Sequence, residues 1–288
     1  MDHPAELAIH QYLQDAANGK SEMSEKTIER VATEVADALR RQFGSGNKRD
    51  EFKLRMSNIG RPTCQLWFEK NQPDKALPRP TTFVMNMMIG DIVESVFKAI
   101  LTEAGVEYKD TDKVKLSVGD KDDTYISGSY DLVIDNAVDD VKSASDWSYR
   151  NKFDSYETLK ESDGFGYIAQ LAGYAKASGK RAGGWWVVNK ANGEFKYVPA
   201  KWMDVDEEVQ KIQNTVDKVS DNKFERCFEP VPETFRKKET GNMILNKNCS
   251  FCSYRFDCWP EMVEKPAVMS QAKEPKLVPY VHLDEKYK

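Results

Sequence analysis

The stretch YISGSYDLVIDNAVDDVKSAS, residues 125–145, constrains the fold more than any other part of the chain. Its β-branched and aromatic residues predict two strands, ISGSYDLVID and AVDDVKSA, and Asp135-Asn136 between them is a pair that turns readily. The period of two along a strand puts Asp131, Val133 and Asp135 on one face and Leu132 and Ile134 on the other. On the partner strand Asp140 and Lys142 share a face, while Asp139 and Val141 point the opposite way. Like-charged carboxylates taken into a core repel one another, at a cost of several kcal/mol unless something neutralises them. A hard divalent cation does so: Mg²⁺ and Mn²⁺ prefer carboxylate oxygens and keep waters for chemistry. A lysine beside it would steady a bound phosphate or an attacking hydroxide. The plainer alternative is a surface hairpin with ordinary charges.

The rest of the chain predicts a mixed sheet flanked by helices. Residues 4–43 read as helical. Ser24 is placed to cap a helix with apolar positions at Ile28, Val31, Val35 and Leu39, and Gly44 stops it. GSGNKRD (44–50) reads as a loop, and 56–71 as a short helix around Cys64. FVMNMMIGDIVESVFKAILTEAG (83–105) predicts a long helix, VKLSV a strand, and 165–179 a helix ended by Gly179. A polar stretch between the acidic hairpin and that last helix reads as mobile. GGWWVVNKANGEFKYVPA predicts a hairpin with Asn192-Gly193 at its tip, followed by a helix at about 205–220. The last residues, rich in Lys, Glu and Pro, read as a tail.

The 288 residues are 40% hydrophobic, enough for a real core. No apolar run of about 18 residues occurs, so no membrane span is expected. The N-terminal MDHPAELAIHQYLQDAANGK lacks the basic start and apolar core of a secretory leader, and the expected location is cytoplasmic. A net charge of −5 speaks against a nucleic-acid partner, but Arg40, Arg41, Lys48, Arg49, Lys53, Arg55 and Arg61 form one basic sector against Asp50 and Glu51. A solvated loop would give the same pattern.

Three further residues or pairs line up with the acidic hairpin. Glu94 lies on the long helix, Gln170 and Tyr174 share a helix face at i, i+4, and Lys190 ends the strand WWVVNK. Glu94, Asp131, Asp140-x-Lys142 and Gln170-x-x-x-Tyr174, in that order, resemble the PD-(D/E)XK nuclease superfamily, and more closely its RecB-like branch, over about residues 55–260. The resemblance implies a restriction-endonuclease-like fold. It also implies Glu94, Asp131 and Asp140 as ligands of Mg²⁺ or Mn²⁺, with the Val141 carbonyl as a fourth, and Lys142 assisting the nucleophilic water. Gln170 and Tyr174 would contact DNA or brace the site, and Arg55, Arg61 and Lys190 are candidate phosphate contacts. The RecB-like branch usually has histidine where Glu94 falls, and its third motif usually begins with Glu rather than Asp140. The chain's histidines, His3, His10 and His282, lie far from these motifs in sequence.

Five cysteines remain, an odd number that fits metal binding better than a disulfide framework. CSFCSYRFDCWP gives Cys249-x2-Cys252-x5-Cys258, and Cys64 lies far upstream. This distribution is similar to iron–sulfur RecB-like nucleases such as CRISPR-adaptation and AddB-type exonuclease domains, which implies a [4Fe–4S] cluster on Cys64, Cys249, Cys252 and Cys258. Four thiolates also suit tetrahedral Zn²⁺, and spacing does not decide between the metals. Cys227 reads as an ordinary small apolar residue.

The expected architecture is therefore α/β (α+β), with an N-terminal helical segment (1–54), a nuclease core (55–222), a cysteine-cluster lobe (223–263, with Cys64) and a tail (264–288). The expected function is a metal-dependent DNA exonuclease of phage or of recombination and repair, acting on DNA with free or single-stranded ends. A homo-oligomer, or a recombination or replication partner, is compatible with it. The chain has no G-x-x-x-x-G-K-[ST] loop, so it is not itself a helicase. Two rivals are a non-cutting DNA-binding protein on the same fold, held by Fe–S or zinc, and a redox-sensing cluster protein.

Overall fold

A computed structural model describes residues 3–44, 51–119 and 124–287. The expected loop at 45–50 lies outside these residues, with Lys48 and Arg49 of the basic sector. In chain order the helices are α1 (Pro4–Ala17), α2 (Glu25–Phe43), α3 (Thr63–Asn71), α4 (Thr82–Glu103), α5 (Tyr156–Glu161), α6 (Tyr167–Ser178), α7 (Val205–Asp221) and α8 (Arg255–Cys258). The strands are β1 (Asp112–Ser117), β2 (Tyr125–Tyr130), β3 (Leu132–Ile134), β4 (Ala137–Ala144), β5 (Arg181–Asn189), β6 (Phe195–Pro199), β7 (Val231–Phe235), β8 (Lys238–Ile244), β9 (Val263–Pro266) and β10 (Leu277–His282). The class is thus mixed α/β with several sheets. No helix among the described residues is long and apolar enough to cross a membrane.

The chain divides into two compact units, Met1–Gly60 with Pro80–Asp217, and Arg61–Arg79 with Lys218–Lys288. These units cut across the boundaries at 54 and 222 read from the sequence. The N-terminal helices fold with the acidic hairpin, and the segment around Cys64 folds with the C-terminal cysteines.

In the first unit the sheet order is β3–β4–β5–β6, with β4 and β5 parallel and the other pairs antiparallel. Parallel neighbours need a crossover, and α6 lies in the connection from β4 to β5. Asp135 (φ 48°) and Asn136 (φ 60°) turn β3 into β4, the left-handed pair that a tight hairpin requires. Alternation along the strands makes two cores. One gathers Val133, Val138, Trp185 and Val187 with Leu171 and Tyr174 of α6. The other packs Leu132, Ile134, Val141 and Trp186 with Ile9 of α1 and Phe97 and Leu101 of α4. Complete burial of side chains such as Leu132 and Val138 contributes about 1.5–3 kcal/mol each.

Several local expectations change. The strand read as ISGSYDLVID breaks at Asp131 into β2, paired with β1, and β3. The stretch read as mobile contains a π-helical turn at Ser148–Lys152 and α5, which Ser155 caps and which buries Tyr156 and Leu159. On α2, Ser24 caps as expected, but Ile28 and Leu39 stay exposed.

The second unit is a four-stranded sheet, β7–β8–β10–β9, beside a core of Phe68, Tyr254, Trp259 and the cysteines. The expected tail at 264–288 instead supplies β10, antiparallel to both β8 and β9. Tyr280 of that strand is fully buried and donates from its hydroxyl to Glu233 (2.8 Å), a tie that a charge-rich composition conceals.

Candidate active site and cysteine pocket

The acidic face of β4 is built as the strand parity implied. Asp140 is 2% exposed, and Lys142 two residues on places its Nζ 2.5 Å from Asp140 Oδ2. Asp131, at the break between β2 and β3, accepts the Val141 amide (2.7 Å). Its carboxyl also lies close enough to that of Asp140 for the two charges to act on each other. Burial followed by the Asp140 charge pushes Asp131 up to about 7, well above the ordinary carboxylate range. Burial raises Asp140 as well, against the pull of Lys142. Opposite charge holds Lys142 firmly protonated despite its burial.

Glu94 reaches the same cluster from α4. Burial raises it first and the Asp131 charge second, while Lys98 and Lys142 oppose. Lys98, which the sequence pattern did not single out, is 4% exposed and bridges Glu94 (2.7 Å), Asp110 (2.9 Å) and the Thr111 hydroxyl (2.6 Å). Its only signal is the helical spacing Glu94-x-x-x-Lys98, too common to stand out. Three carboxylates, of which Asp140 is buried and Glu94 and Asp131 are half-buried, thus face the buried Lys98 and the half-buried Lys142. Among the described residues, no group of three or more His, Cys, Asp or Glu is set as ready-made metal ligands. Glu94 and Asp140 are each turned to a lysine.

On α6, Gln170 Nε2 donates to the Tyr174 hydroxyl (3.2 Å), and burial with the charges of Asp140 and Asp131 pushes Tyr174 up to about 12. Tyr174 therefore borders the acidic cluster. Lys190 instead donates to Asn86 on α4 (2.9 Å), and Arg55 sits where its backbone bridges to Ser127 of β2. Among the described residues, Lys190 makes no ion pair with Glu94, Asp131 or Asp140. Arg61 belongs to the second unit and pairs with Glu69 (2.8 Å).

Asp139 has a different role from its neighbour. It is fully buried in the second core of the first unit and accepts from the Gly184 amide (2.8 Å), the Tyr197 hydroxyl (2.8 Å) and, more weakly, the Trp186 indole (3.4 Å). The register slips between Val138 and Asp139, but the extra residue is Gly183 on β5, not one on β4. A Cβ at Gly183 would collide with Asp139 Oδ1, so this glycine makes room for the carboxylate. Burial pushes Asp139 up to about 7.

In the second unit Cys64, Cys249, Cys252 and Cys258 line one narrow cavity of about 20 Å³, with Phe228 and Arg255 among its other walls. Burial raises the thiols of Cys249, Cys252 and Cys258, Cys249 to about 12. Cys227 is not the small buried apolar residue expected. It is exposed, and its sulfur lies 3.1 Å from the Cys64 amide, which donates to it, and 3.3 Å from the Thr63 hydroxyl. A hydrogen bond from the Cys64 thiol lowers its pKa first, ahead of those two. Nothing in its sequence spacing marks it as part of this group.

No family model matches the sequence, and no curated protein matches it. Among solved structures the chain is similar to the crystal structure of SSO0001, with a TM-score of 0.40 and 13% identity, covering 82% of this chain and 96% of that one.

Proposed function

We propose that the first unit is a metal-dependent deoxyribonuclease on a restriction-endonuclease-like fold of the RecB-like kind, acting as an exonuclease in phage or recombination DNA processing. The observation that carries this reading is the convergence of Glu94 from α4 and Asp131 from the β2–β3 break on the buried Asp140, which shares a face of β4 with Lys142. The donors suit Mg²⁺ or Mn²⁺, being all oxygen and crowded enough for the Asp140 charge to act on Asp131. The order α4, β1, β2–β3, β4, α6, β5 matches the sequence of motifs that the resemblance supplies. A divalent cation on Glu94, Asp131 and Asp140 would supply Lewis-acid stabilisation of the phosphate and a water of lowered pKa.

The chain's own residues do the rest. The proton that Asp131 holds up to about pH 7 must leave before it can act as a ligand, and Lys98 and Lys142 must loosen from Glu94 and Asp140. Lys142, freed from Asp140, presents a fixed positive charge to the phosphate oxygen on which negative charge grows. Tyr174, braced by Gln170, holds the α6 side of the site. In the second unit Cys64, Cys249, Cys252 and Cys258 line one cavity without being set as ready-made ligands, and they would have to close on a [4Fe–4S] cluster or Zn²⁺ to hold it in a structural role.

A second reading has its own observation. The two lysines already satisfy two of the three carboxylates, as in a DNA-binding protein that does not cut. Digestion of end-labelled linear DNA separates the two. Wild type should degrade it with Mn²⁺ or Mg²⁺ and not with EDTA, and Lys142→Ala should lose at least about 100-fold. Intact DNA under every metal would establish the binding role instead.

A further inference from the structure

Lys152 is unusual for a lysine: it is 8% exposed and lies in no ion pair among the described residues. Its neighbours are aromatic. The Nζ lies 4.5 Å from the centroid of Tyr167, 4.9 Å from that of Phe165 and 5.9 Å from that of Phe153. Phe165 and Tyr167 stack at 5.7 Å and 17°, and Phe153 stacks on Tyr167 at 5.7 Å and 30°. Phe165 ends this row and is 60% exposed, so one side of the stack opens to solvent. Tyr167, in the middle of the row, also borders the candidate active site, with Lys142 Nζ 5.3 Å from its ring centroid.

Each part of this arrangement lacks something. Burying an ammonium group without an ion-pair partner is costly; the Asp163 charge acts on Lys152 from beyond ion-pair reach, and with the ring faces it offsets only part of that cost. An exposed phenylalanine at the end of a stack leaves one aromatic face uncovered. A nucleotide supplies both missing pieces, because its base covers the ring and its phosphate meets the ammonium. We infer that Phe165, Tyr167 and Lys152 form a nucleobase-stacking subsite beside the reacting phosphate, seating an unpaired nucleotide whose neighbouring phosphate lies at Lys142. The inference rests on the nuclease reading for the position of that phosphate, but not for the stacking itself. The subsite reads π-surface rather than base edges, so it is tolerant of sequence. A paired base, already covered on both faces, cannot use it.

The test is binding without cleavage. Fluorescence anisotropy would give the affinity of wild type, Phe165→Ala and Phe165→Trp for an oligothymidylate of ~10 nucleotides and for an abasic strand of equal length, in EDTA and in Ca²⁺. Wild type should prefer the strand with bases by about tenfold. Phe165→Ala should bind the two strands alike, and Phe165→Trp should restore the preference. Because Phe165 is largely exposed, the alanine variant should keep the wild-type circular dichroism, and the tryptophan variant guards against a folding artefact. Equal affinity of wild type for both strands, or no measurable binding of either, overturns the subsite. A wild type that prefers bases yet never cuts with Mn²⁺ would uphold the subsite while refuting the nuclease reading.

Discussion

Asp139 and Asp140 are adjacent, share a residue type and do opposite work, because a strand sends successive side chains to opposite faces. Asp140 faces another carboxyl and a lysine, an arrangement with chemistry to offer. Asp139 faces donors only, so it locks β5 and β6 to β4. The sequence makes this division legible through parity alone, although the closing partners Tyr197 and Gly184 come from distant positions that parity does not reveal. The sign of its pH effect follows from its pKa of about 7, raised by burial from the ordinary carboxylate value near 4. Between those values the folded chain holds a proton that the unfolded chain has lost, so the contribution is complete at low pH and is lost as pH rises through about 7. Asp139→Asn removes the titration. Thermal unfolding should show wild type losing roughly 2–3 kcal/mol relative to the variant between about pH 5 and pH 8. A pH-independent difference would mean that Asp139 is ionised in the folded chain.

At the scale of elements, turn chemistry sets what could be read. The β3–β4 turn uses Asp135-Asn136 and the helix α6 ends at Gly179 (φ 65°), both with residues that tolerate left-handed backbone. The β7–β8 hairpin turns through Arg236 (φ 50°) and Lys237 (φ 66°), which carry no such signal, and it went unread for that reason. Gly166 shows why an element begins where it does. It sits at φ 78° just before α6, and a Cβ there would collide with the backbone of Gly60. Asp163 completes the start by accepting the amides of Gly166, Tyr167 and Ile168 at 3.0, 2.9 and 2.8 Å. Gly166→Ala should therefore destabilise the chain by about 2 kcal/mol or more in urea unfolding, from left-handed strain and overpacking together. A loss under about 0.5 kcal/mol would show that the loop shifts freely, and that α6 is not held there.

For the whole molecule, the grouping of four cysteines was legible in the sequence and the partition of the chain was not. The cysteine spacing 249, 252, 258 and the distant Cys64 pointed to one group, and these residues do line one cavity in one unit. The discontinuous make-up of that unit was not legible, since nothing in 61–79 except Cys64 points to residues 218–288. If metal on these thiols contributes to folding, Cys258→Ser should lose bound iron or zinc and expose 61–79 and 218–288 to limited proteolysis, while 80–217 stays protected. Unchanged protection everywhere would mean that the aromatic core around Phe68 and Trp259 holds the unit without metal. In the first unit, we propose, the charges on β4 serve a divalent cation. Titration calorimetry of Mn²⁺ at about pH 6, repeated in buffers of different ionisation enthalpy, measures affinity and proton release together. Wild type should bind Mn²⁺ and release about one proton, that of Asp131 with its pKa raised to about 7, and Asp140→Ala should lose both effects. Absence of Mn²⁺ binding, or identical binding by the variant, would contradict the account and leave Asp140–Lys142 as a structural ion pair.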